Sequence, residues 1–473
     1  MDMKLFKFSI LECLSFMLGF TCILEAIRMQ AGPIKLNISD LFFVLLFFYV
    51  LTLKHKKAVG LDKPVMQIKS FFIIILVFCL NFISPIVDNV LFPTEIEGVS
   101  PALAYAIKTA FNLVFFYEIF SLNCVSREKF LNSFCKGFVF GIAFHILYSL
   151  YQLVAWYVFG EDIHTPLMES FGITEDFLGG HPVLNFVFRP LVIRTAGLFW
   201  DPYFIGIMGC VAIFLSLTLS NKVQRGVAVI TSFLVFFMSF SRTGYLAFVA
   251  VLFLIPVIAK RSGSFGSKLN IGKLLKLLLI VIITGAVLVP LFIDKETKDE
   301  ISQGLKYKTE IKVDDEGDMR HMMYPVYAVE AVLHDPLHLL FGYGARNSSR
   351  GIYISGNIPQ ETKTEVSYDI ESDWCKFLIN YGIICFFIYI VFNIMLIKLL
   401  IRRGHFDESF VPLFLLITIL ATFISGFFYT INDSRWVWLE YAAAIVYLMN
   451  ENEKEKQYVI YKWSLFDTTA DWC

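Results

Sequence analysis

The stretch CKFLINYGIICFFIYIVFNIMLIKLL occupies residues 375–400 and carries only two charged side chains, Lys376 and Lys398. A helix needs about 20 apolar residues to cross the hydrocarbon core of a bilayer, whereas a barrel strand needs about half that length and alternates. Similar runs recur along the chain, which is 57% hydrophobic and contains 50 Phe residues. The sequence therefore predicts an all-α polytopic integral membrane protein, because helices and closed barrels are the only viable spans.

Window hydropathy predicts about twelve transmembrane helices in the chain. An even number of spans places both termini on the same side of the membrane. In chain order the predicted spans are 8–27, 37–53, 68–87, 101–124, 130–159, 203–220, 226–240, 243–259, 273–293, 375–400, 410–430 and 436–450.

The short loops indicate the orientation. Basic residues follow every second predicted span: Lys54, Lys56, Lys57, Arg127, Lys129, Lys222, Arg225, Lys260, Arg261, Arg402 and Arg403. The opposite short loop, 88–100, contains acidic residues and no Lys or Arg. The positive-inside rule places the basic loops, and hence both termini, in the cytoplasm. Segments 160–202 and 294–374 then face outward.

Segment 294–374 is polar and too long to be a simple connector. It contains a helix-like run that opens at Asp318 and a glycine turn at 341–344. We therefore expect one large, partly helical extracytoplasmic loop. The predicted units are membrane helices one to nine in 1–293, this loop in 294–374, membrane helices ten to twelve in 375–450, and a cytoplasmic tail in 451–473 that begins with a solvated charge run.

Composition excludes several functions. A formal net charge of -1 argues against a nucleic-acid partner. The sequence contains no G-x-x-x-x-G-K-[ST] and no glycine-rich turn between a strand and a helix. An ATP-driven pump and an enzyme that uses a sugar nucleotide are therefore disfavoured. The nine cysteines form no C-x-x-C pair and are interpreted as small buried hydrophobes.

A metal site is considered at the acidic run 314–318 and at the histidines of the same loop. Divalent cations take carboxylate oxygens, but the run lacks the twelve-residue calcium loop. The group of His321, His334, Asp335 and His338 also lacks the H-E-x-x-H form. We therefore predict no metal and no cofactor.

Three arginines on the predicted outer face are candidate binding residues: Arg194, Arg242 and Arg320. Arginine keeps its charge and offers a fork of donors that fits phosphate oxygens, so three of them suit a pyrophosphate. Each also has a structural interpretation. Arg242 at a span end can extend to the headgroups, Arg194 can pair with Asp201, and Arg320 can balance Asp318.

Four acidic residues lie within or at the ends of predicted spans: Glu12, Glu25, Glu118 and Glu440. Charged groups at membrane depth are costly and are functional candidates by default. They are expected to pair with basic residues or to face a cavity, and they are the feature that a proton-coupled transporter would explain.

Four short blocks follow one another between Arg194 and Gly382 on the predicted outer face. They are Arg194-Thr195-Ala196-Gly197 with Asp201-Pro202-Tyr203, then Ser241-Arg242-Thr243-Gly244, then Asp318 to Arg320 with Tyr324, Ala328 and Asp335-Pro336 up to Phe341-Gly342-Tyr343-Gly344, and finally Glu371-Ser372-Asp373-Trp374 with Gly382. In this order they resemble the motifs of the O-antigen ligase and O-antigen or capsule polymerase superfamily (the Wzy and WaaL type).

The last block departs from the ligase pattern. Glu371 stands where ligases of this type have histidine, eleven residues before Gly382, and Cys385 replaces the final glycine. The glutamate is similar to the E-S-D form of the polymerase branch, so the resemblance favours a polymerase.

The resemblance implies a GT-C-like fold and a multi-pass protein of the bacterial inner (cytoplasmic) membrane, with its active site on the periplasmic or extracellular side. It implies polymerisation of undecaprenyl-pyrophosphate-linked oligosaccharide repeat units by block glycosyl transfer, independent of metal and nucleotide. The partners would be that lipid-linked oligosaccharide, membrane lipid and a polysaccharide chain-length regulator.

The same resemblance implies roles for individual residues. Arg194, Arg242 and Arg320 would bind pyrophosphate, with Arg320 also assisting catalysis, and Glu371 or otherwise Asp373 would accept the proton of the acceptor hydroxyl. The loop positions Tyr324, Gly342 and Gly344 would contact substrate. Two alternatives stay open: an O-antigen ligase that transfers glycan to lipid A core, and a lipid-linked oligosaccharide flippase or transporter.

Overall fold

The computed structural model describes part of the chain in detail. The described backbone comprises residues 9–24, 28–31, 34–56, 99–173, 186–188, 192–199, 201–261, 316–344, 347–348, 351–352, 372–406, 409–427 and 435–467. Side chains are described over a narrower set, which leaves out those of 99–109, 316–324 and 453–467 among others. The predicted spans 68–87 and 273–293 lie outside the described residues.

The described chain is mostly helical. In order the helices are α1 (Ile10–Thr21), α2 (Ile38–Lys56), α3 (Val99–Phe120), α4 (Cys124–Val154), α5 (His164–Ser170), α6 (Pro202–Ser216), α7 (Lys222–Met238), α8 (Arg242–Arg261), α9 (Glu316–Leu333), α10 (Pro336–Phe341), α11 (Asp373–Arg403), α12 (Val411–Ser425) and α13 (Arg435–Asp467). A π-helical turn, Ala155–Phe159, extends α4.

Two short antiparallel strand pairs accompany the helices. Strand β1 (Arg28–Ala31) pairs with β2 (Ile34–Asn37) between α1 and α2. Strand β3 (Phe186–Phe188) pairs with β4 (Val192–Ile193) just before Arg194. Both pairs lie in connections between helices, so they bend the chain without forming a sheet core.

Two of the described helical segments are long and apolar enough to cross a membrane: Cys124–Phe159 and Asp373–Arg403. Shorter apolar helices occupy Ile10–Thr21, Ile38–Leu53, Ala110–Phe120, Pro202–Ser216, Arg242–Ile258 and Val411–Ser425. All of these helices fall on predicted spans. Their number and their orientation relative to a membrane stay predictions.

Helices α4 and α13 run antiparallel to each other. Arg127 near the start of α4 contacts Met449 of α13, with Nη1 3.8 Å from Sδ. Farther along, Phe138 of α4 meets Trp436 edge to face, with ring centroids 6.2 Å apart. The two helices therefore run in opposite directions along their contact.

Helix α11 runs parallel to α13. Tyr447 Oη donates to the Arg403 carbonyl (3.2 Å), and Tyr441 Oη donates to Asn393 Oδ1 (2.7 Å). The bundle thus has two ends. We call the end that holds Trp436 and the start of α11 the site end, and the end that holds Met449 and Arg403 the basal end.

Glycines bring several helices into backbone contact. A Cβ added at Gly19 of α1 would collide with the Phe134 carbonyl of α4, and one at Gly137 would collide with the Phe16 carbonyl. A Cβ at Gly244 of α8 would lie 2.8 Å from the carbonyl carbon of Gly206 of α6. Phenylalanine fills much of the space between the helices, so the core is rigidly packed.

The first charged residue of the predicted tail, Glu451, is not solvated. Helix α13 continues without a break through Asp467, and Glu451 is buried. Its Oε2 lies 3.0 Å from His405 Nε2 at the basal end. Packing against the α11–α12 connection explains why this glutamate is not exposed.

Candidate functional site

The first part of the site is the segment Arg194–Phe199, which lies between β4 and α6. His145 of α4 holds this segment in place, because its Nδ1 accepts a hydrogen bond from the Leu198 N–H at 2.9 Å. That bond requires the proton on Nε2, which then donates to the Ile23 carbonyl at 3.1 Å. The imidazole also stacks on Phe199, with ring centroids 4.2 Å apart.

Gly197 supplies the turn that makes this contact possible. Its φ is +64°, and an added Cβ would lie 2.8 Å from His145 Nδ1. A side chain here would strain the backbone and displace the imidazole. The glycine of the first sequence block therefore has a clear structural role.

Arg194 is held against the end of α7. Its Nε donates to the Ser239 carbonyl at 3.0 Å, and the next residue, Thr195, donates its N–H to the Met238 carbonyl at 3.0 Å. Asp201, the alternative partner for Arg194, instead accepts from the Tyr203 N–H at 3.0 Å and caps α6. Arg194 is thus fixed through Nε.

The turn between α7 and α8 is tight and strained. Phe240 has a φ of +48°, which few residues other than glycine adopt. Ser241 Oγ accepts from the Gly244 N–H at 3.1 Å and so caps α8, and Thr243 Oγ1 lies 2.9 Å from the same oxygen. Arg242 is the first residue of α8 and is exposed.

The second part of the site is built by α9, α10 and the first turns of α11. Tyr343 is fully buried, stacks on His338 with centroids 3.8 Å apart, and donates from Oη to the Ala331 carbonyl at 2.9 Å. Asp335 caps α10 through a 2.6 Å bond from the Leu337 N–H. The apolar contacts come from Ala328, Ala331, Val332, Ile352, Cys375 and Ile379.

Helix α11 is interrupted at Gly382, where φ is 73° and ψ is 179°. In an unbroken helix the carbonyls of residues 379 and 380 would accept from the N–H groups of residues 383 and 384. Here they accept from the glycine turn instead: Tyr343 N–H reaches the Ile379 carbonyl at 2.8 Å, and Gly344 N–H reaches the Asn380 carbonyl at 2.9 Å. The loop motif and the broken helix therefore complete each other's hydrogen bonds.

The start of α11 is fastened to the end of α12. Ser372 Oγ donates to the Phe427 carbonyl at 2.7 Å and accepts from the Cys375 N–H at 3.3 Å, so it is the N-cap. Trp374 Nε1 donates to the Phe423 carbonyl at 3.1 Å. Asp373 lies between them and is only 3% exposed. A carboxylate in the first turn of a helix is favoured by the helix dipole.

The structure brings some predicted site residues together. Arg194 and Arg242 share the α7–α8 turn, and both lie at the site end of the bundle. The described positions of the loop and of the Glu371–Trp374 block, Gly342, Gly344 and Asp373, lie on or beside the first turns of α11, at the same end.

Other predicted residues are placed less completely. Arg320 and Tyr324 lie within α9, whose backbone is described there without the side chains. Glu371 lies outside the described residues, directly before the N-cap Ser372. The sequence did not indicate that His145 and Tyr343 hold the two parts of the site, because a buried His or Tyr has no local signature.

One titratable group beside the site is shifted. His164 opens α5 in segment 160–202 and is buried, which lowers its pKa to about 4, while the nearby Asp162 charge acts in the opposite direction. Its Nδ1 lies 3.4 Å from Tyr148 Oη. Met168 of the same helix packs on Leu198, so α5 supports the segment that carries Arg194.

Groups of three or more His, Cys, Asp or Glu side chains that could hold a metal ion do not occur among the residues with described positions. Of the loop histidines, His338 packs its ring against the ring of Tyr343. The acidic run at 314–318 falls mostly before α9 and carries no described side chains.

Residues 227–390 match a family model described as O-antigen ligase (Wzy_C). The match covers this region of the chain and confirms its resemblance to the O-antigen ligase and polymerase superfamily. Proteins of this superfamily are integral membrane, glycosyltransferase-like enzymes that act on lipid-linked glycans in glycan assembly. None of the curated proteins compared with the chain matches it.

The O-antigen ligase match begins in α7 and ends within α11. It therefore contains Arg242, Arg320 and Asp373, as well as the glycine turn. Arg194 and its support by His145 lie before the matched region and are joined to it through Ser239. The match does not separate ligases from polymerases.

Proposed function

We propose that the protein polymerises undecaprenyl-pyrophosphate-linked oligosaccharide repeat units into O-antigen or capsular polysaccharide, by block glycosyl transfer on the outer face of the inner membrane. The observation that carries the proposal is the shared turn of Arg194 and Arg242. The Arg194–Ser239 bond holds one guanidinium beside the strained turn from which the other arises. Two arginines at one surface suit a pyrophosphate.

The arginines act on the leaving group. As the donor glycan separates from its carrier, negative charge grows on the pyrophosphate oxygen, and cations already in position stabilise it without reorganising. Arg320 is the third member of this set. Helix α9, which carries it, packs on the first turns of α11, next to the carboxylate block.

The carboxylate block acts on the acceptor. Glu371 precedes the N-cap of α11 and removes the proton of the acceptor hydroxyl, with Asp373 as the second candidate. A carboxylate performs this task when partial burial raises its affinity for a proton. The hydrogen bonds between the glycine turn and the α11 carbonyls before Gly382 hold the start of α11, which carries the block, in one position relative to the loop.

A second candidate is an O-antigen ligase that transfers finished glycan to lipid A core. The description of the matched family favours it. The glutamate at position 371, where ligases have histidine, favours the polymerase. A lipid-linked oligosaccharide flippase is the candidate from another class, and it would leave the arginines and the carboxylate block without a chemical role.

The test is reconstitution of the full-length protein in lipid nanodiscs with a synthetic lipid-linked repeat unit, with a chelator present and no nucleotide. The proposal predicts a ladder of longer lipid-linked glycans on a gel. If glycan grows only when lipid A core is supplied, the protein is a ligase. If proteoliposomes move the unit across the bilayer without extending it, the protein is a transporter.

A further inference from the structure

A buried carboxyl of α13 is not used by the proposed reaction. Glu440 is 1% exposed, and neither of its oxygens meets hydrogen-bond geometry with any donor among the described residues. An isolated ionised carboxylate in such surroundings would be very costly, so buried acids are neutral, paired or solvated by bound water.

Buried donors lie near this carboxyl along α12 and α13. Trp436 Nε1, one helical turn before Glu440, meets hydrogen-bond geometry with no acceptor among the described residues, and the same holds for Ser425 Oγ of α12, three residues after Thr422. Trp436, Thr422 and Ser425 are at most 2% exposed. The Thr422 side chain lies close enough to the Glu440 carboxyl to act on it as a hydrogen-bond donor, although the pair misses ideal hydrogen-bond geometry. Thr422 thus brings α12 beside Glu440, and Trp436 and Ser425 lie about one turn away along α13 and α12.

Buried polar groups almost always have partners, and bound water supplies those that the protein does not. Water can accept from the indole and the hydroxyls and also donate to or accept from a carboxyl. A single such molecule typically makes about three hydrogen bonds, which matches the mixture of donors and acceptors here.

We propose that Glu440, Thr422, Ser425 and Trp436 form a water-binding site between α12 and α13, in which Glu440 holds a transferable proton. The ligand class is water, with the neutral carboxylic acid as the proton carrier. The site stands within the helix bundle and is distinct from the arginines at the α7–α8 turn.

This site lies next to the carboxylate block. The Gly426 N–H donates to the Thr422 carbonyl at 2.9 Å, so the two residues are one turn apart on α12. A Cβ added at Gly426 would lie 3.1 Å from Asp373 Oδ2. Tyr441 is within electrostatic range of both Asp373 and Glu440. A single turn of α12 therefore separates Asp373 from the water-binding site.

The role of this site in the reaction rests on the proposed function. The O–H bond of the acceptor hydroxyl breaks, and its electron pair forms the new bond to the donor sugar. The bond from that sugar to the pyrophosphate breaks and leaves its pair on the phosphate oxygen. The proton passes to the block of Glu371 and Asp373 and then to the bound water. Glu440 accepts it on its carbonyl oxygen while its own hydroxyl proton passes on to water, so Glu440 returns to its neutral form.

Other ionisable groups face this region from the neighbouring helices. Cys135 of α4 lies within electrostatic range of Glu440, and Asp373 and Tyr389 of α11 lie within range of Tyr441. Any dependence of activity on pH must therefore be assigned with single variants of the carboxyls.

The decisive measurement is infrared difference spectroscopy of the full-length protein in nanodiscs, without substrate. The wild type is expected to show the carbonyl stretch of a protonated carboxylic acid that Glu440→Gln lacks, and this band should shift within minutes of exchange into D2O. Glu12→Gln is the matched control, because Glu12 Oε2 already accepts from Ser9 N and Oγ at 2.8 and 2.6 Å. A missing band, or a band that resists exchange, would overturn the proposal.

The kinetic measurement separates this proposal from the proposed function. Glu440→Gln is expected to lower the turnover number of chain extension about tenfold with KM unchanged, whereas Glu440→Asp is expected to restore most of it. Loss of protein folding would lower both variants equally and would show in the yield of inserted protein. If wild-type protein extends no chains, the infrared result still decides whether the site exists, and equal turnover in wild type and Glu440→Gln overturns the relay.

Discussion

The N–H of Tyr343 donates a 2.8 Å hydrogen bond to the carbonyl of Ile379, a group that an unbroken α11 would keep for itself. Gly382 frees that carbonyl by leaving the helical conformation, and Gly342 lets the loop approach closely enough to use it. The two glycines are 40 positions apart in the sequence and depend on each other in the fold. The break at Gly382 and the turn at Gly342 together make this part of the site rigid.

Replacing Gly382 by Ala is expected to destabilise the protein by roughly 1–3 kcal/mol, because alanine is strained at this φ and its Cβ would collide with the Leu340 carbonyl. Chain extension should fall with it. Gly226→Ala is the control: a Cβ on this α7 glycine meets nothing within 4 Å. Thermal unfolding followed by tryptophan fluorescence measures both, and similar midpoints for the two variants would contradict the prediction.

Arg194→Lys is expected to reduce kcat/KM for the lipid-linked substrate by roughly tenfold or more, although the charge is retained. Lysine lacks the Nε that fixes the side chain on Ser239 and the fork that fits phosphate. Arg225→Lys at the other end of α7 is the matched control and should behave as wild type. Equal loss in both variants would mean that α7 needs arginine for stability alone.

Arg242→Ala and Arg320→Ala are each expected to abolish chain extension while the protein stays inserted in the membrane. Removing either cation takes away stabilisation of the departing pyrophosphate. The measurement is the length distribution of surface polysaccharide in cells that carry a single variant, with membrane-inserted protein measured by immunoblot. Full-length polysaccharide ladders in these cells would show that the reaction does not need these arginines.

Glu371→Gln is expected to lower the turnover number by about 10²–10⁴, the usual contribution of a general base. Asp373→Asn should have the smaller effect if Glu371 is the base. The pH–rate profile distinguishes the two: the rise of activity with pH disappears in the variant that has lost the base. An unchanged pH–rate profile in Glu371→Gln would indicate that Asp373 is the general base.

Stability should fall as the pH decreases from above 6.5 to about 4, in part because of His164. Burial lowers its pKa to about 4 in the folded protein, while the unfolded chain binds a proton near pH 6.5. The unfolded state therefore holds more protons in this window, so acidification favours it, by of order 2 kcal/mol at pH 5. His164→Gln should flatten this part of the curve of unfolding midpoint against pH. Parallel curves for the two proteins would exclude His164 as the cause.

The sequence by itself determined the class of the protein and the location of most helices. Long apolar runs leave few alternatives in a bilayer, so spans such as 203–220, 243–259 and 375–400 coincide closely with α6, α8 and α11. The order of the four motif blocks also placed the candidate residues on one predicted face. Local composition carries this information because burial in lipid acts on every residue of a span.

Only the tertiary structure decided how those residues are held. No local pattern indicates that His145 joins Leu198 to Ile23, that Arg194 is held by Ser239, or that Gly382 breaks a helix to receive the glycine turn. The sequence likewise placed Glu451 in a solvated run, whereas contact with His405 buries it. These are bonds between segments far apart in the chain, and they exist only when packing brings an unsatisfied backbone or side-chain group to its partner.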